Sequence, residues 1–207
     1  MTIHLITAGK YQDEKTWPEI WVKCFNSLAK TKNNICVWND EGIEKLLKED
    51  DNEFYNEYLS KLDPIYSWDY VRYIILEKYG GTYFDMDIEL TEEFFNKLDQ
   101  NKIYMMEGTR GTYIENSIMI SPQGNFWASI WERIKLEAQK QIKLNFPLLN
   151  KQAKVIDVVG ANMLSTFFSK WVEPYLYDIL GYYHFGNVNS TLSYTKHHQT
   201  SLWNNTK

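Results

Sequence analysis

Ser67-Trp68-Asp69-Tyr70-Val71-Arg72-Tyr73-Ile74-Ile75-Leu76-Glu77-Lys78-Tyr79-Gly80-Gly81-Thr82-Tyr83-Phe84-Asp85-Met86-Asp87-Ile88-Glu89-Leu90 holds two different periodicities joined by a glycine pair. Before the pair, Trp68, Val71, Ile75 and Tyr79 recur at helical spacing, and Ser67 stands where an N-cap belongs, so a helix over 68–79 is expected. Asp69, Arg72 and Tyr73 share an adjoining face at i, i+3 and i+4. Gly80-Gly81 stops the helix, because glycine tolerates the left-handed backbone at a helix end. After the pair the period becomes two. Phe84, Met86, Ile88 and Leu90 point one way, and Tyr83, Asp85, Asp87 and Glu89 the other. This spacing predicts one strand over 82–90, with an apolar inner face and a carboxylate-bearing outer face or end.

Outward from this stretch the same alternation of elements continues. A short apolar strand over 2–6 closes in Thr7-Ala8-Gly9. A helix over 17–25 has Pro18 in its first turn. A strand over 35–38 stops at Asn39-Asp40, and a polar helix runs over 41–61. Strand, helix, strand, helix argues for α/β architecture, a mainly parallel central sheet flanked by helices. Downstream, strands are expected over 102–106 and 117–120. Trp127, Ile130, Trp131 and Ile134 mark an amphipathic helix, and another covers 162–171. The tail over 194–203 is rich in His and aromatics and has no clear period. No internal repeat or Pro/Gly/Ser linker divides the chain, so residues 1–207 read as a single domain.

Composition narrows the function classes. The chain has 207 residues, 44% hydrophobic and 24% charged, which excludes disordered and collagen-like classes. Lys and Arg number 22 against 27 Asp and Glu. With no basic tract, a nucleic-acid footprint is not expected. No segment approaches the roughly 20 apolar residues of a membrane span, and residues 1–10 lack the pattern of a signal peptide. A cytoplasmic protein is the expectation. Cys24 and Cys36 are too far apart for a metal knuckle and read as two buried free thiols.

Two sites could carry chemistry. In Asp85-Met86-Asp87, two carboxylates on one side of a strand can share a hard divalent cation, Mg²⁺ or Mn²⁺, with a ligand's phosphates. The plain alternative is a pair of solvated acids on an edge strand; but Asp is disfavoured in strands, and here two interrupt a strong one. Asp69 and Arg72 are the second site. Read plainly they are an i,i+3 ion pair worth a few tenths of a kcal/mol. Yet their helix is apolar around most of its circumference, so a fixed guanidinium fork toward a sugar hydroxyl or phosphate is the other reading.

The string from Ser67-Trp68-Asp69-Tyr70-Val71-Arg72-Tyr73 through Tyr79-Gly80-Gly81-Thr82-Tyr83-Phe84-Asp85-Met86-Asp87 closely resembles the sugar-binding region of Asp-x-Asp glycosyltransferases. The resemblance is to glycosyltransferase family 32, the yeast initiating mannosyltransferases and bacterial capsule enzymes, with a core shared by the clostridial glucosylating toxins. Val37-Trp38-Asn39-Asp40, Asn116-Ser117, Gly160 and His197-His198 with Ser201-Leu202-Trp203 resemble further family positions. The resemblance implies a GT-A-like fold and transfer of a hexose-type sugar from a nucleotide-sugar donor, a UDP-sugar being favoured, to a glycan or other hydroxyl acceptor. Retention of configuration goes with it. In that reading Asp69, Arg72 and Tyr73 hold the donor sugar. Asp85 contacts donor and metal, and Asp87 binds the metal, Mn²⁺ or Mg²⁺. A histidine, His198 rather than His197, completes the coordination. Ser201 and Trp203 touch the diphosphate. Thr7 and Ala8 stand beside the donor, where the family usually has a base-stacking aromatic, and Gly160 is followed by Ala161 where the family has Pro. The chain ends four residues after Trp203, which leaves open that it is cut from a longer protein. Two rivals are a non-catalytic sugar-binding module and a haloacid-dehalogenase-like phosphatase; the second needs a later acidic cluster, and Asp99, Asp157 and Asp178 are isolated.

Overall fold

The computed structural model describes residues 1–91, 93–108, 113–146, 148–149, 154–181 and 194–198. Its centre is a six-stranded sheet of β1 (Thr2–Ile6), β2 (Asn34–Trp38), β3 (Gly81–Phe84), β5 (Ile103–Glu107), β6 (Ile114–Ser121) and β7 (Tyr177–Leu180), in the order β2-β1-β3-β6-β5-β7. β1 pairs parallel with β2 and β3, and β5 with β7; only β6 runs against its neighbours. β4 (Ile88–Leu90) lies apart, paired antiparallel with β8 (Thr195–His197). The helices are α1 (Glu19–Ala29), α2 (Asp40–Glu57), α3 (Pro64–Tyr79), α4 (Asn125–Asn145), α5 (Val155–Val158) and α6 (Ala161–Trp171). No described helix is long and apolar enough to cross a membrane.

The period of two sorts the strands between two cores. Ile3 and Leu5, Phe84, Tyr104 and Met106, and Ile118 and Ile120 enter one core with Trp21 and Leu28 of α1. Ile6, Tyr83, Ile103, Met105 and Met119 enter the other with the buried faces of α2, α3, α4 and α6. The sheet is therefore covered on both faces, which is why its strands read as apolar runs. Cys24 is buried, but Cys36 is only half-buried because β2 is an edge strand; both thiols are free.

Three local expectations are corrected. α3 begins at Pro64, not Trp68: Asp63 accepts a hydrogen bond from the Ile65 amide (3.3 Å) and Pro64 takes the first turn, so Ser67 caps nothing. α1 begins at Glu19, with Pro18 as its flanking residue. The strand over 82–90 is two strands. It leaves the large sheet after Phe84, turns over Asp85-Met86-Asp87 with the Ile88 amide donating to the Asp85 carbonyl (3.1 Å), and resumes as β4. The apolar half of the alternation persists, since Phe84, Met86, Ile88 and Leu90 share one core. The polar half does not: Tyr83 is fully buried.

Gly81 sets how closely β3 can lie against β1. Gly81 has φ +84°, and a Cβ there would lie 2.4 Å from the Thr2 carbonyl oxygen on β1. Backbone strain of about 1–2 kcal/mol in the left-handed region adds to a clash that only separating β1 from β3 relieves. Gly81→Ala should therefore cost roughly 3 kcal/mol, seen as a lower urea midpoint; an unchanged midpoint would contradict this packing.

Candidate active site

The site forms where β1 and β3 end side by side. Leu5 is in register with Phe84, so Thr7 and Asp85 leave the sheet as neighbours. β1 also stands between β2 and β3. The α1 crossover runs from β1 out to β2, and the α2–α3 crossover returns past β1 to β3; this reversal opens a crevice at the strands' carboxyl ends. The donor was expected there on sequence grounds. Thr7 and Ala8 are fully buried, with the Thr7 hydroxyl lacking a hydrogen-bond partner among the described residues.

Asp85, Asp87 and His197 converge at this end, each offering a ligand atom within 4.8 Å of the others. Asp85 is tied down from several directions. Its amide donates to the Ser117 carbonyl (2.9 Å), and Tyr83 Oη donates to its Oδ1 (2.6 Å). Arg72 Nη2 lies 3.3 Å from the same oxygen. Burial, opposed by Arg72, raises the Asp85 carboxyl to about 6. Asp87 is buried, with Oδ1 3.4 Å from His197 Nε2. Burial disfavours charge on His197, but its contacts with Asp87 and Glu115 outweigh that and push it up to about 10.

Arg72 is 5% exposed and clamped. Nη1 donates to the Asn116 carbonyl (3.1 Å), and Nη2 bridges Asp69 (2.9 Å) and Asp85. The guanidinium carbon sits 4.6 Å from the Tyr83 ring centroid. The pair with Asp69 is thus not a surface ion pair. Its immediate task is to hold two carboxylates, and burial still raises Asp69.

The structure redistributes other expected residues. Tyr73 does not face the crevice: it is buried, stacks on Trp131 (6.4 Å) and donates its hydroxyl to the Val159 carbonyl. Its place on α3 next to Asp69 is a packing position, and the segment it anchors leads to Gly160, where a Cβ would come within 3.3 Å of Asp69 Oδ2. His198 was preferred to His197, yet His197 is the one in the cluster. Ile88 is in register with His197, and the next residue turns away, His198 Nε2 reaching Glu89 (3.1 Å), which Lys23 also holds (2.9 Å). Ser201 and Trp203 lie outside the described residues. Glu115 was missed, because nothing local marks it.

A groove of about 310 Å³, more apolar than polar, lies beyond the end of β1, lined by Gly9, Asp40, Leu59, Pro64 and Trp68 among others. Asp40 is fixed there by the Gly9 amide (2.8 Å) and Trp68 Nε1 (3.1 Å).

The donor set suits an oxygen-preferring divalent cation. Asp69, Asp85, Asp87 and Glu115 oppose Arg72 and a protonated His197 within one partly buried network. With His197 protonated, two negative charges are left over; holding a cation requires its imidazole deprotonated, which leaves three, and Asp85 and Asp87 supply the oxygen ligands that Mn²⁺ and Mg²⁺ accept.

Residues 18–105 match the family described as "Glycosyltransferase sugar-binding region containing DXD motif". No curated protein matches the chain. Among solved structures, 14 chains match. The PaToxG glycosyltransferase superposes with a TM-score of 0.55 at 16% identity, over 82% of this chain and 68% of that one. The apo-form glycosyltransferase GlyE of Streptococcus pneumoniae TIGR4 has a TM-score of 0.44 at 13% identity, over 86% and 44%. A glycosyltransferase involved in glycosylation of the major capsid of PBCV-1 has 0.40 at 11%, over 88% and 82%. At such identities the first likeness speaks for the fold and the others add nothing to it. Residues 18–105 thus match a glycosyltransferase sugar-binding region whose DXD motif is Asp85-Met86-Asp87, on an α/β scaffold that shares its fold with the PaToxG glycosyltransferase.

Proposed function

We propose that the chain transfers a hexose-type sugar from a nucleotide-sugar donor to a glycan or other hydroxyl acceptor, with a divalent cation at Asp85, Asp87 and His197. The observation that carries this reading is the convergence of those three side chains at the ends of β1 and β3, inside a DXD sugar-binding region. A bound cation would supply Lewis-acid neutralisation of the charge that develops on the departing nucleoside diphosphate. Asp87 and His197 would hold it, and Asp85 would divide its oxygens between cation and donor. Arg72 and Tyr83 orient Asp85. The groove along Gly9, Asp40 and Trp68 seats the nucleoside; a UDP-sugar is favoured by the family resemblance of the sequence. Retention, with departure and attack on one face of the sugar, rests on the same resemblance.

The test is a panel of UDP- and GDP-sugars, each with Mn²⁺ or with EDTA, read by melting temperature and by donor hydrolysis. A ligand at 100 times its Kd stabilises the native state by about 2.7 kcal/mol. At roughly 2–4 °C per kcal/mol for a chain of this size, that is a rise of about 5–11 °C. One donor should raise the melting temperature with Mn²⁺ only and be slowly hydrolysed. A shift without hydrolysis would make the chain a binding module, and no shift with any donor would end the proposal.

A further inference from the structure

We infer that Glu115 is a positioning residue for His197, the outer carboxylate of a carboxylate–histidine–cation arrangement; the inference rests on the cation site proposed above. His197 lies between two acids. Its Nε2 lies 3.4 Å from Asp87 Oδ1, and its buried Nδ1 lies at ion-pair distance from Glu115 Oε2, 3.4 Å, without an aligned hydrogen bond to any described group. An imidazole offers a cation one nitrogen only. The N–H on the other side needs an acceptor, and a carboxylate there fixes the tautomer and the ring orientation and makes the ligand more basic. Among the described residues, Glu115 is not in the ligand cluster itself.

The fold explains why His197 needs such a partner. It sits on β8, a strand of three residues paired with the three of β4 and extended by one main-chain hydrogen bond at each end, from the His198 amide to the Asp87 carbonyl (3.0 Å) and from the Thr91 amide to the Tyr194 carbonyl (2.9 Å). So short a ladder does little to hold a ring's rotation. Glu115 comes instead from the large sheet and is itself held, with Ser117 Oγ 3.3 Å from Oε2 and Tyr113 Oη 3.4 Å from Oε1.

Its placement arises from a bulge. Met105 on β5 faces Met119, but Met106 faces Glu115, so Asn116, Ser117 and Ile118 loop out of the β5–β6 ladder. Bulges re-aim side chains beside sites, and this one serves three members at once. The Asn116 carbonyl takes Arg72, the Ser117 carbonyl takes the Asp85 amide, and the Glu115 side chain faces His197. The first two contacts are to main-chain atoms. Replacing the Glu115 side chain therefore removes the third without disturbing the others.

The experiment is a calorimetric titration of Mn²⁺ into the full chain. Glu115→Gln should weaken Mn²⁺ binding by roughly 10–100-fold, with an unchanged melting temperature in EDTA. Glu115→Asp, which keeps the charge one methylene further back, should lose less, and it serves if the Gln variant does not fold. In a His197→Ala background Glu115→Gln should add under about twofold, since a residue acting through His197 has nothing left to act on. Wild-type affinity in Glu115→Gln, or losses that multiply in the double variant, would overturn the inference and leave the cation site standing. A wild-type chain that binds no Mn²⁺ would bring down the cation site and this inference together.

Discussion

Asp87→Asn should abolish Mn²⁺-dependent donor hydrolysis while leaving the protein at least as stable in EDTA. The loss should reach roughly a thousand-fold, about 4 kcal/mol of transition-state stabilisation, because the carboxylate's charge is what holds the cation. Stability should move the other way. Asp87 is a buried acid in a network where Asp69, Asp85 and Glu115 outnumber Arg72 and His197. Removing one negative charge relieves repulsion there, and the amide keeps the shape. Opposite signs for activity and melting temperature mark a residue kept for function at a cost in stability. Full activity of the wild type in EDTA, or a large fall in melting temperature with residual turnover, would contradict the assignment.

Arg72→Met should be the most destabilising single change at the site. It leaves Asp69 and Asp85 buried without their cation, and breaking a buried pair from one side costs about 3–5 kcal/mol. That corresponds to a fall of roughly 6–20 °C in melting temperature. The deficit should shrink in acid. Asp85 already titrates at about 6, above its ordinary 3.8, because of burial, and losing Arg72 raises it further. A carboxyl raised in the fold favours the folded state when protonated, so lowering the pH through its folded value restores stability. The gap to wild type should be smaller at pH 5 than at pH 8. Arg72→Lys separates charge from shape. An ammonium cannot reproduce the fork that spans Asp69, Asp85 and the Asn116 carbonyl. Lys should keep much of the stability but lose about tenfold or more in turnover, about 1.4 kcal/mol. Unchanged turnover with an unchanged melting temperature would remove Arg72 from the working site.

Much of this arrangement was legible in the residues. Five of the six central strands, α3 and its glycine stop follow from periodicity, which local sequence carries, whereas β7 left no readable signal and Tyr79, counted with the apolar face, is exposed. Asp69, Arg72, Asp85 and Asp87 could be singled out because each breaks the apolar pattern around it. What failed depended on distant pairings. Asp85-Met86-Asp87 alternates like a strand, yet the chain turns there because Ile88 joins a different sheet. Tyr73 shares a helix face with Asp69, but the packing of Trp131 and Val159 against it lies far along the chain. His197 and His198 are indistinguishable until the register with Ile88 is known. Glu115 acquires meaning only through a bulge, and a bulge leaves no periodic trace.

The pairing of β8 with β4 also bears on when the molecule becomes competent. All six strands of the large sheet are in place by Leu180, whereas His197 arrives only with β8. Synthesis runs from the N-terminus and structure forms along the way. β7 and β8 are so close in sequence that the exit tunnel encloses both together, so the last strand of the large sheet and His197 emerge at nearly the same time. Premature termination before Thr195 would keep all six strands of the large sheet yet remove His197 and uncover β4, so the proposed cation site would lack one of its three side chains.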